Sequence, residues 1–271
     1  MKWIKVNIML LLCVLPRFGY GQIVLSQDAK KFDFYDSIKF YDLSVLWCTD
    51  SITNLDNLDD TASVDPYKFP FPEPLGYIGN NYQRFYVHFL SVKKNKKNPY
   101  RYDITGKTRV KDNVCFFKGS IIIDSADYVI DTAFPADPAK YKRGHVDCSC
   151  SFKEDKACKF AGIITGVMES DWCIYQHKIF YDNFMGVADG YSNNQFTGKW
   201  KSYARSVVKK CNWGDYRIPE SNKLDAGAGE FYVSEKYLQN GWQNYENAYH
   251  LYDDTIKQQK ALAEENREWW K

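Results

Sequence analysis

Apolar and polar side chains alternate along most of the middle of the chain. Over residues 82–92, Phe85, Val87 and Phe89 fall on one side of an extended chain, and His88 falls on the other. Comparable segments, separated by turn residues, follow at 100–110, 114–123, 160–175, 176–187 and 194–203. Because successive side chains of a strand point to opposite faces, this period of two predicts a mainly β protein arranged as an antiparallel meander.

Glycine recurs inside these segments in a common setting, with an apolar residue two positions before it. The four positions are Gly106, Gly119, Gly166 and Gly198. A glycine within a strand marks a bend, a bulge or a close backbone approach. Bent strands in a meander are what a closing sheet requires, so the sequence predicts a barrel-like or strongly bent sheet.

Helical periodicity enters only at the end of the chain, over residues 233–271. A short helix is predicted at 234–241, followed by a longer one from 243 onward. Its apolar stripe consists of Tyr245, Ala248, Tyr249, Tyr252 and Ile256. The stripe ends at Ile256, so the last turns are expected to project into solvent with Trp269 and Trp270 exposed.

Residues 1–21 have the three parts of a secretory signal peptide. Lys2 and Lys5 precede a mostly apolar stretch at 6–15, and Gly19 and Gly21 supply small residues before the expected cleavage site. The apolar stretch is shorter than the ~20 residues needed to span a bilayer. The sequence therefore predicts no membrane span and a secreted or periplasmic protein with a cleaved leader.

The remaining chain divides into three parts. Residues 22–75 are predicted to be an irregular, proline- and aspartate-rich segment, packed on the domain through aromatic residues. Four prolines, Pro66, Pro70, Pro72 and Pro74, argue against helix and central strand there. Residues 76–232 form the predicted β-rich domain, and residues 233–271 the C-terminal helical segment.

The balance of charged residues argues against nucleic acid as a partner. Loss of residues 1–21 would remove three of the 36 basic residues and none of the 34 acidic ones, leaving 33 basic residues. A nearly neutral balance gives no basis for nucleic-acid binding. The dense run at 93–97 lies between two predicted strands and is expected to be a solvated hairpin loop.

Cysteine is the next informative residue type. Seven cysteines follow the leader: Cys48, Cys115, Cys148, Cys150, Cys158, Cys173 and Cys211. Export favours disulfides, and an odd number leaves at least one thiol unpaired or paired with another chain. The expected local bridge joins Cys148 or Cys150, flanking a turn, to Cys158. The alternative is a zinc site of His145, Cys148, Cys150 and Cys158.

The densest polar and aromatic stretch, at 211–219, contains the candidate binding residues Trp213, Asp215, Tyr216 and Arg217. One interpretation is an ordered turn in which Asp215 and Arg217 form an ion pair or a backbone clasp. The other is a rim that contacts a ligand or partner, because Trp, Tyr and Arg are enriched at binding hot spots.

No catalytic motif accompanies them, and the sequence predicts neither catalytic residues nor a cofactor. Carboxylate pairs such as Glu169 with Asp171, or Asp182 with Asp189, are compatible with glycoside hydrolysis only if they meet at ~5–10 Å.

Aromatic residues make up 17% of the chain, with 21 tyrosines. They are typical either of a β-rich core or of an aromatic-lined pocket.

Several segments resemble a family of uncharacterised exported bacterial proteins. The similar stretches are FPEPLGYIG at 71–79, NNYQRF at 80–85, ADGYSNNQFTGKW at 188–200, CNWGDYRIP at 211–219, and residues 224–245. The resemblance implies bacterial export and no particular activity. Gly198-Lys199-Trp200 is also similar to the G-x-W of lipocalin-type barrels, but there the motif opens the first strand, whereas here it comes late.

The sequence therefore favours a secreted, non-enzymatic protein that binds a small ligand or a protein partner. Two alternatives stay open. One is a secreted hydrolase that acts on glycans, and the other is an interaction or inhibitor protein that neutralises another secreted protein.

Overall fold

The computed structural model describes residues 29–58, 67–131, 137, 139–184 and 186–271. The expected leader lies outside these residues. Within them, eleven strands form one antiparallel sheet curled into a half-barrel, and the C-terminal region is helical. The mainly β fold with a bent sheet and C-terminal helices is therefore confirmed.

The strands are β1 (Lys30–Asp33), β2 (Ser51–Thr53), β3 (Lys68–Pro70), β4 (Leu75–Ile78), β5 (Gln83–Arg84), β6 (Tyr86–Lys94), β7 (Arg101–Val110), β8 (Asn113–Ile130), β9 (Lys142–Glu154), β10 (Gly162–Tyr175), β11 (Lys178–Tyr181), β12 (Asn193–Ser202) and β13 (Val208–Asp215). The main path runs β5-β4-β13-β12-β10-β9-β8-β7-β6, with β1 on β8 and β11 on β10. Only β2 and β3 form a separate pair among the described residues. Phe85 alone separates the edge strands β5 and β6, so the sheet curls until its two edges meet at this residue.

The glycines within the strands allow rings to lie flat against the sheet. Gly166 of β10 faces Gly198 of β12 across the ladder. A Cβ added at either position would collide with the Phe196 ring and with backbone of the neighbouring strand. The two glycines thus make room for an aromatic side chain where the sheet bends most closely over its core.

The N-terminal segment fills the concave side of the sheet. Its helix α1 (Tyr35–Ile38) and a 3-10 helix (Leu43–Leu46) contribute Ile38, Leu43 and Leu46, each fully buried. The indole N–H of Trp47 donates to Ser170 Oγ at 2.8 Å, which ties the segment to β10. The described part of residues 22–75 is therefore a structural part of the core, with short helices and strands of its own.

The C-terminal region consists of a 3-10 helix (Glu235–Asn240), α2 (Gln243–Tyr249) and α3 (Thr255–Glu265). The single long helix predicted from residue 243 is instead broken at 250–254. The expectation that the last turns project into solvent is wrong: the Trp270 ring stacks on His88 of β6 at 3.7 Å, and Trp269 packs against Tyr86. No helix among the described residues is long and apolar enough to cross a bilayer.

Candidate functional site

A cleft of about 1060 Å³ opens beside the seam where the sheet edges meet. Several parts of the chain line it. They are the N-terminal segment with Glu73, β6 with His88, the stretch before and at the start of β12 with Tyr191, the end of β13 with Asp215, the loop with Glu230, and the C-terminal region with Trp270. Its walls are largely aromatic. They include Trp47, Phe71, Tyr86, Tyr191, Trp213, Tyr216, Tyr245, Tyr249 and Trp269. A concave, aromatic surface with a few convergent polar groups is the usual form of a small-molecule site.

The polar centre of this cleft is Asp215, the last residue of β13, which is almost completely buried. The Tyr181 hydroxyl donates to its Oδ2 at 2.9 Å, and the Asn194 amide donates to the same oxygen at 2.7 Å. Burial raises the pKa of Asp215 to about 8, although these two hydrogen bonds lower it and the charge of Glu73 adds a smaller increase. The carboxyl is therefore mostly protonated at neutral pH.

Asn194 reaches Asp215 because a bulge interrupts the pairing of β12 with β13 between Asn193 and Phe196. Its backbone is left-handed, with φ of 49°, a conformation that asparagine tolerates better than most residues. Its amide N–H₂ also donates to the Leu46 carbonyl at 2.7 Å. Its Oδ1 is buried and has no hydrogen-bond partner in the part of the chain that the structure describes.

Tyr216 and Tyr191 form an aromatic corner beside Asp215. Their rings meet edge to face at 5.1 Å. Tyr216 has φ of 64°, and 39% of its surface is exposed. A bulky residue held in the left-handed region is unusual, and such strain concentrates at functional sites. Of the four candidate binding residues, all of which line the cleft, Tyr216 is the most exposed.

Trp213 and Arg217 have structural roles in addition to bordering the cleft. Trp213 is 2% exposed and stacks on Phe196 at 3.6 Å, so it belongs to the core. Arg217 donates to the Gly227 carbonyl at 3.0 Å and the Gly229 carbonyl at 2.8 Å. It also pairs with Asp225 at 2.5 Å. Of the two arrangements expected for an ordered turn, the ion pair of Asp215 with Arg217 does not form. The Arg217 guanidinium instead clasps the backbone of the loop at 225–229, and its amide donates to the Asp215 carbonyl at 2.7 Å.

The opposite end of the cleft holds a buried ion pair. Arg84 Nη2 lies 2.7 Å from Glu265 Oε2, with side-chain exposures of 4% and 6%. The guanidinium is enclosed by aromatic rings, 4.6 Å from Tyr86, 4.5 Å from Trp242 and 5.2 Å from Tyr245. The sequence carries no signal for this pair, because its members lie far apart in the chain.

Of the four carboxylates considered for hydrolysis, only one lines the cleft. Glu169 and Asp171 lie on β10 and do not line the cleft, whereas Asp189 does. Burial, followed by the charges of Asp182 and Glu169, raises the pKa of Asp171 well above its usual range. Asp182 accepts from Arg143 Nε at 2.6 Å. Asp182 thus pairs with Arg143, and none of Glu169, Asp171 and Asp182 lines the cleft, so these acids do not meet across it.

The alternative zinc ligands are not brought together. Cys148 and Cys150 face the core from β9, and His145 on the same strand points to the other side, 3.5 Å from Asp127. Cys158 lies in the following turn. No group of three or more His, Cys, Asp or Glu residues in the described ranges could hold a metal ion.

The seven cysteines of the described residues are all free thiols. Cys148 and Cys150 belong to β9 rather than flanking a turn, and the structure does not show the expected bridge from either of them to Cys158. Cys158 instead lies against Cys115 at the start of β8. Burial, then the charge of Glu154 and a hydrogen bond with the Cys158 thiol, raise the pKa of Cys115 to about 12.

Comparison with known proteins adds no assignment: no family model, no curated protein and no solved structure matches the chain.

Proposed function

We propose that this protein binds a small ligand in the cleft between the half-barrel and the C-terminal helices, without chemical turnover. The observation that carries the proposal is the set of polar atoms without partners around one aromatic cavity. Asn194 Oδ1 at one end, and Arg84 Nε and Nη1 at the other, are buried and have no hydrogen-bond partner among the described residues. Such atoms are rare in folded proteins, because leaving a buried polar group unpaired costs ~1–3 kcal/mol.

The charges around the cleft favour a neutral or cationic ligand. Arg84 is matched by Glu265 and Arg217 by Asp225. The other acidic side chains along the cleft are Asp50, Glu73, Asp189 and Glu230, of which Glu73 contacts His88 at 2.8 Å; Glu268 is matched by Lys271 at 2.6 Å. An anionic ligand would be repelled by this rim, whereas aromatic faces accept both the C–H faces of neutral ligands and organic cations.

A panel of four compound classes tests the proposal: neutral saccharides, organic amines, short peptides and dicarboxylates, each titrated by calorimetry. We expect at least one neutral or cationic compound to bind. Tyr216→Ala should weaken that binding by about tenfold, since losing one aromatic contact costs ~1.4 kcal/mol. Tyr252→Ala is the matched control, because Tyr252 is 80% exposed and lies away from the cleft. Absence of binding across the panel, or equal loss in both variants, contradicts the proposal.

Asp215 favours one second candidate, a hydrolase acting on glycans. A carboxyl that stays protonated near neutral pH can serve as the general acid of glycoside cleavage. In that case saccharide turnover should be lost in Asp215→Asn and retained in Glu169→Gln, which changes a carboxylate outside the cleft. Turnover that is lost only in Glu169→Gln would instead locate the chemistry on β10, away from the cleft.

We further propose that the protein is exported with loss of residues 1–21. The proposal is supported by the basic, apolar and small-residue parts of the N-terminus. The intact mass of protein from its native host should lack this segment. A mature chain that retains Met1 would contradict export by this route.

A further inference from the structure

The turn after β9 brings one thiol against another from a distant part of the chain. Cys115 is the third residue of β8, and Cys158 lies in the turn that joins β9 to β10. The Asp155 amide donates to the Phe116 carbonyl at 2.7 Å, which holds the beginning of this turn against β8. Cys158 is kept in the turn by its own amide, which donates to the Asp155 carbonyl at 2.9 Å.

The contacts of the two sulfur atoms are reciprocal. Cys115 Sγ lies 3.9 Å from the carbonyl oxygen of Lys159, the residue after Cys158. Cys158 Sγ lies 3.8 Å from the carbonyl oxygen of Val114, the residue before Cys115. The Asn113 amide connects the two sides by donating to Cys115 Sγ at 3.3 Å and to the Lys159 carbonyl at 2.9 Å. The two thiols are therefore neighbours that interact as free thiols, without lying at the distance of a disulfide in this structure.

We propose that Cys115 and Cys158 form a disulfide that fastens the β9–β10 turn to the start of β8. Oxidation requires an external acceptor, which we assign to the class of disulfide-bonded oxidants. A Cys158 thiolate attacks one sulfur of the oxidant, giving a mixed disulfide and releasing one oxidant thiol. A Cys115 thiolate then attacks the Cys158 sulfur, forming the protein disulfide and releasing the second oxidant thiol. Two electrons and two protons leave the protein in total.

Exposure sets this order of attack. Cys158 is partly exposed in its turn, whereas Cys115 is 2% exposed. Only the thiolate is a nucleophile, and the high pKa of Cys115 leaves very little of it as thiolate at neutral pH. The second step is therefore the slow one, and it should accelerate as pH rises.

The other five thiols have different surroundings and remain reduced in this proposal. Cys148, Cys150, Cys173 and Cys211 are buried, and burial raises the pKa of each above its usual range. Cys48 is partly exposed, but its thiol contacts the Phe89 carbonyl at 3.3 Å. We therefore propose one disulfide among the described cysteines, fewer than export alone would predict.

The test oxidises the reduced, folded full chain with glutathione disulfide, alkylates it in denaturant with N-ethylmaleimide, and maps peptides without reductant. We expect a linked peptide pair containing Cys115 and Cys158, with the other cysteines of the described residues alkylated. The midpoint of thermal unfolding should also rise by several degrees relative to the reduced protein. Linked product should form faster at pH 9 than at pH 7.

Two variants make the result decisive. Cys158→Ser should abolish the linked peptide and the rise in unfolding temperature, whereas the matched variant Cys48→Ser should retain both. Alkylation of both Cys115 and Cys158 in oxidised wild-type protein would overturn the proposal. A linked peptide joining Cys158 to Cys148 or Cys150 would overturn it equally.

Discussion

Two buried carboxyl groups of this protein, Glu154 and Asp215, differ in how their oxygens are used. At the end of β9, Glu154 Oε1 accepts from the Thr108 hydroxyl at 2.5 Å. Its Oε2 accepts from the Gly162 amide and from the Trp200 indole, both at 2.8 Å. At the end of β13, Asp215 receives both of its donors on a single oxygen, Oδ2.

The difference separates a structural group from a candidate functional one. Every donor around Glu154 belongs to the sheet or to the turn next to it, and together they hold three strands in place. Asp215 borders the cleft, where Asn194 Oδ1 is unpartnered within the described residues and Tyr216 is strained. Burial alone therefore does not mark a functional carboxyl; incomplete pairing beside a cavity is the more informative property.

The largest expected effect comes from removing the Glu154 carboxyl, whose two oxygens accept three hydrogen bonds. Glu154→Ala should lower the free energy of unfolding by about 5 kcal/mol, because three buried donors would each lose their acceptor at ~1–3 kcal/mol apiece. Denaturant titration measures this loss. Lys153→Ala is the control, since its side chain is exposed on the same strand and should cost less than ~0.5 kcal/mol. Similar stability of both variants would mean that the Glu154 cluster is not structural.

The second prediction tests whether Trp213, which borders the cleft, contributes to stability as a core residue does. Trp213→Ala should lower the free energy of unfolding by about 4 kcal/mol, within the range for removing a buried tryptophan. Its partner Phe196 would lose a stacked ring at 3.6 Å. Tyr216→Ala, three residues later, should cost much less because Tyr216 is half-buried. A fully stable Trp213→Ala variant would instead support a role in recognition alone.

The sequence predicts the fold better than the site. Alternation identified most strands of the sheet, and the repeated glycines indicated its curvature, because both signals are local. It missed β1, β4, β9 and β13. In β9, the Asp147–Ser151 stretch alternates cysteine with polar residues and resembles a turn. In β13, the residues from Cys211 to Asp215 are all buried, including Asn212, whose amide donates to the Pro219 carbonyl at 2.9 Å, so this part of the strand has no exposed polar face.

Sequence analysis named Asp215 and Tyr216 but could not supply their partners. Tyr181 and Asn194 lie 34 and 21 residues from Asp215, so only the folded sheet brings them together. The pair Asn193-Asn194 was the available signal, because an asparagine pair at the start of a strand indicates a bulge or left-handed backbone. Its neighbour Tyr191, on the cleft wall, carried no such signal.

The pH dependence of stability tests the assigned state of Asp215. Its folded pKa of about 8 lies above the ordinary value of 3.8, so the folded state binds more protons than the unfolded state between these values. Its contribution to stability is therefore present at low pH and is lost as pH rises toward 8. From pH 5 to pH 7, wild-type protein should lose about 3 kcal/mol relative to Asp215→Asn, at ~1.4 kcal/mol per pH unit.

Chemical denaturation of both proteins at several pH values isolates this carboxyl, because Asp171, Asp182 and Glu169 are common to the two chains. Burial raises the pKa of each of those three as well, and their effect cancels in the difference. If the free energies of unfolding of wild type and Asp215→Asn change with pH in parallel, Asp215 is not protonated in the folded protein. Asp215 would then differ less from Glu154 than we propose.

The smallest expected effect concerns Arg217, which borders the cleft but contacts a loop. Arg217→Ala should cost about 2 kcal/mol of stability, because it removes the ion pair with Asp225 and bonds to loop carbonyls in a partly exposed setting. Arg217→Lys should recover only part of this loss, since an ammonium cannot reproduce the forked geometry of a guanidinium. Hydrogen exchange of the Gly227 amide, which donates to Asp225 at 2.9 Å, reports loosening of the loop directly. If Arg217→Ala weakens ligand binding while this amide stays protected, Arg217 contacts the ligand itself, and the division between structural and recognition residues must be redrawn at this position.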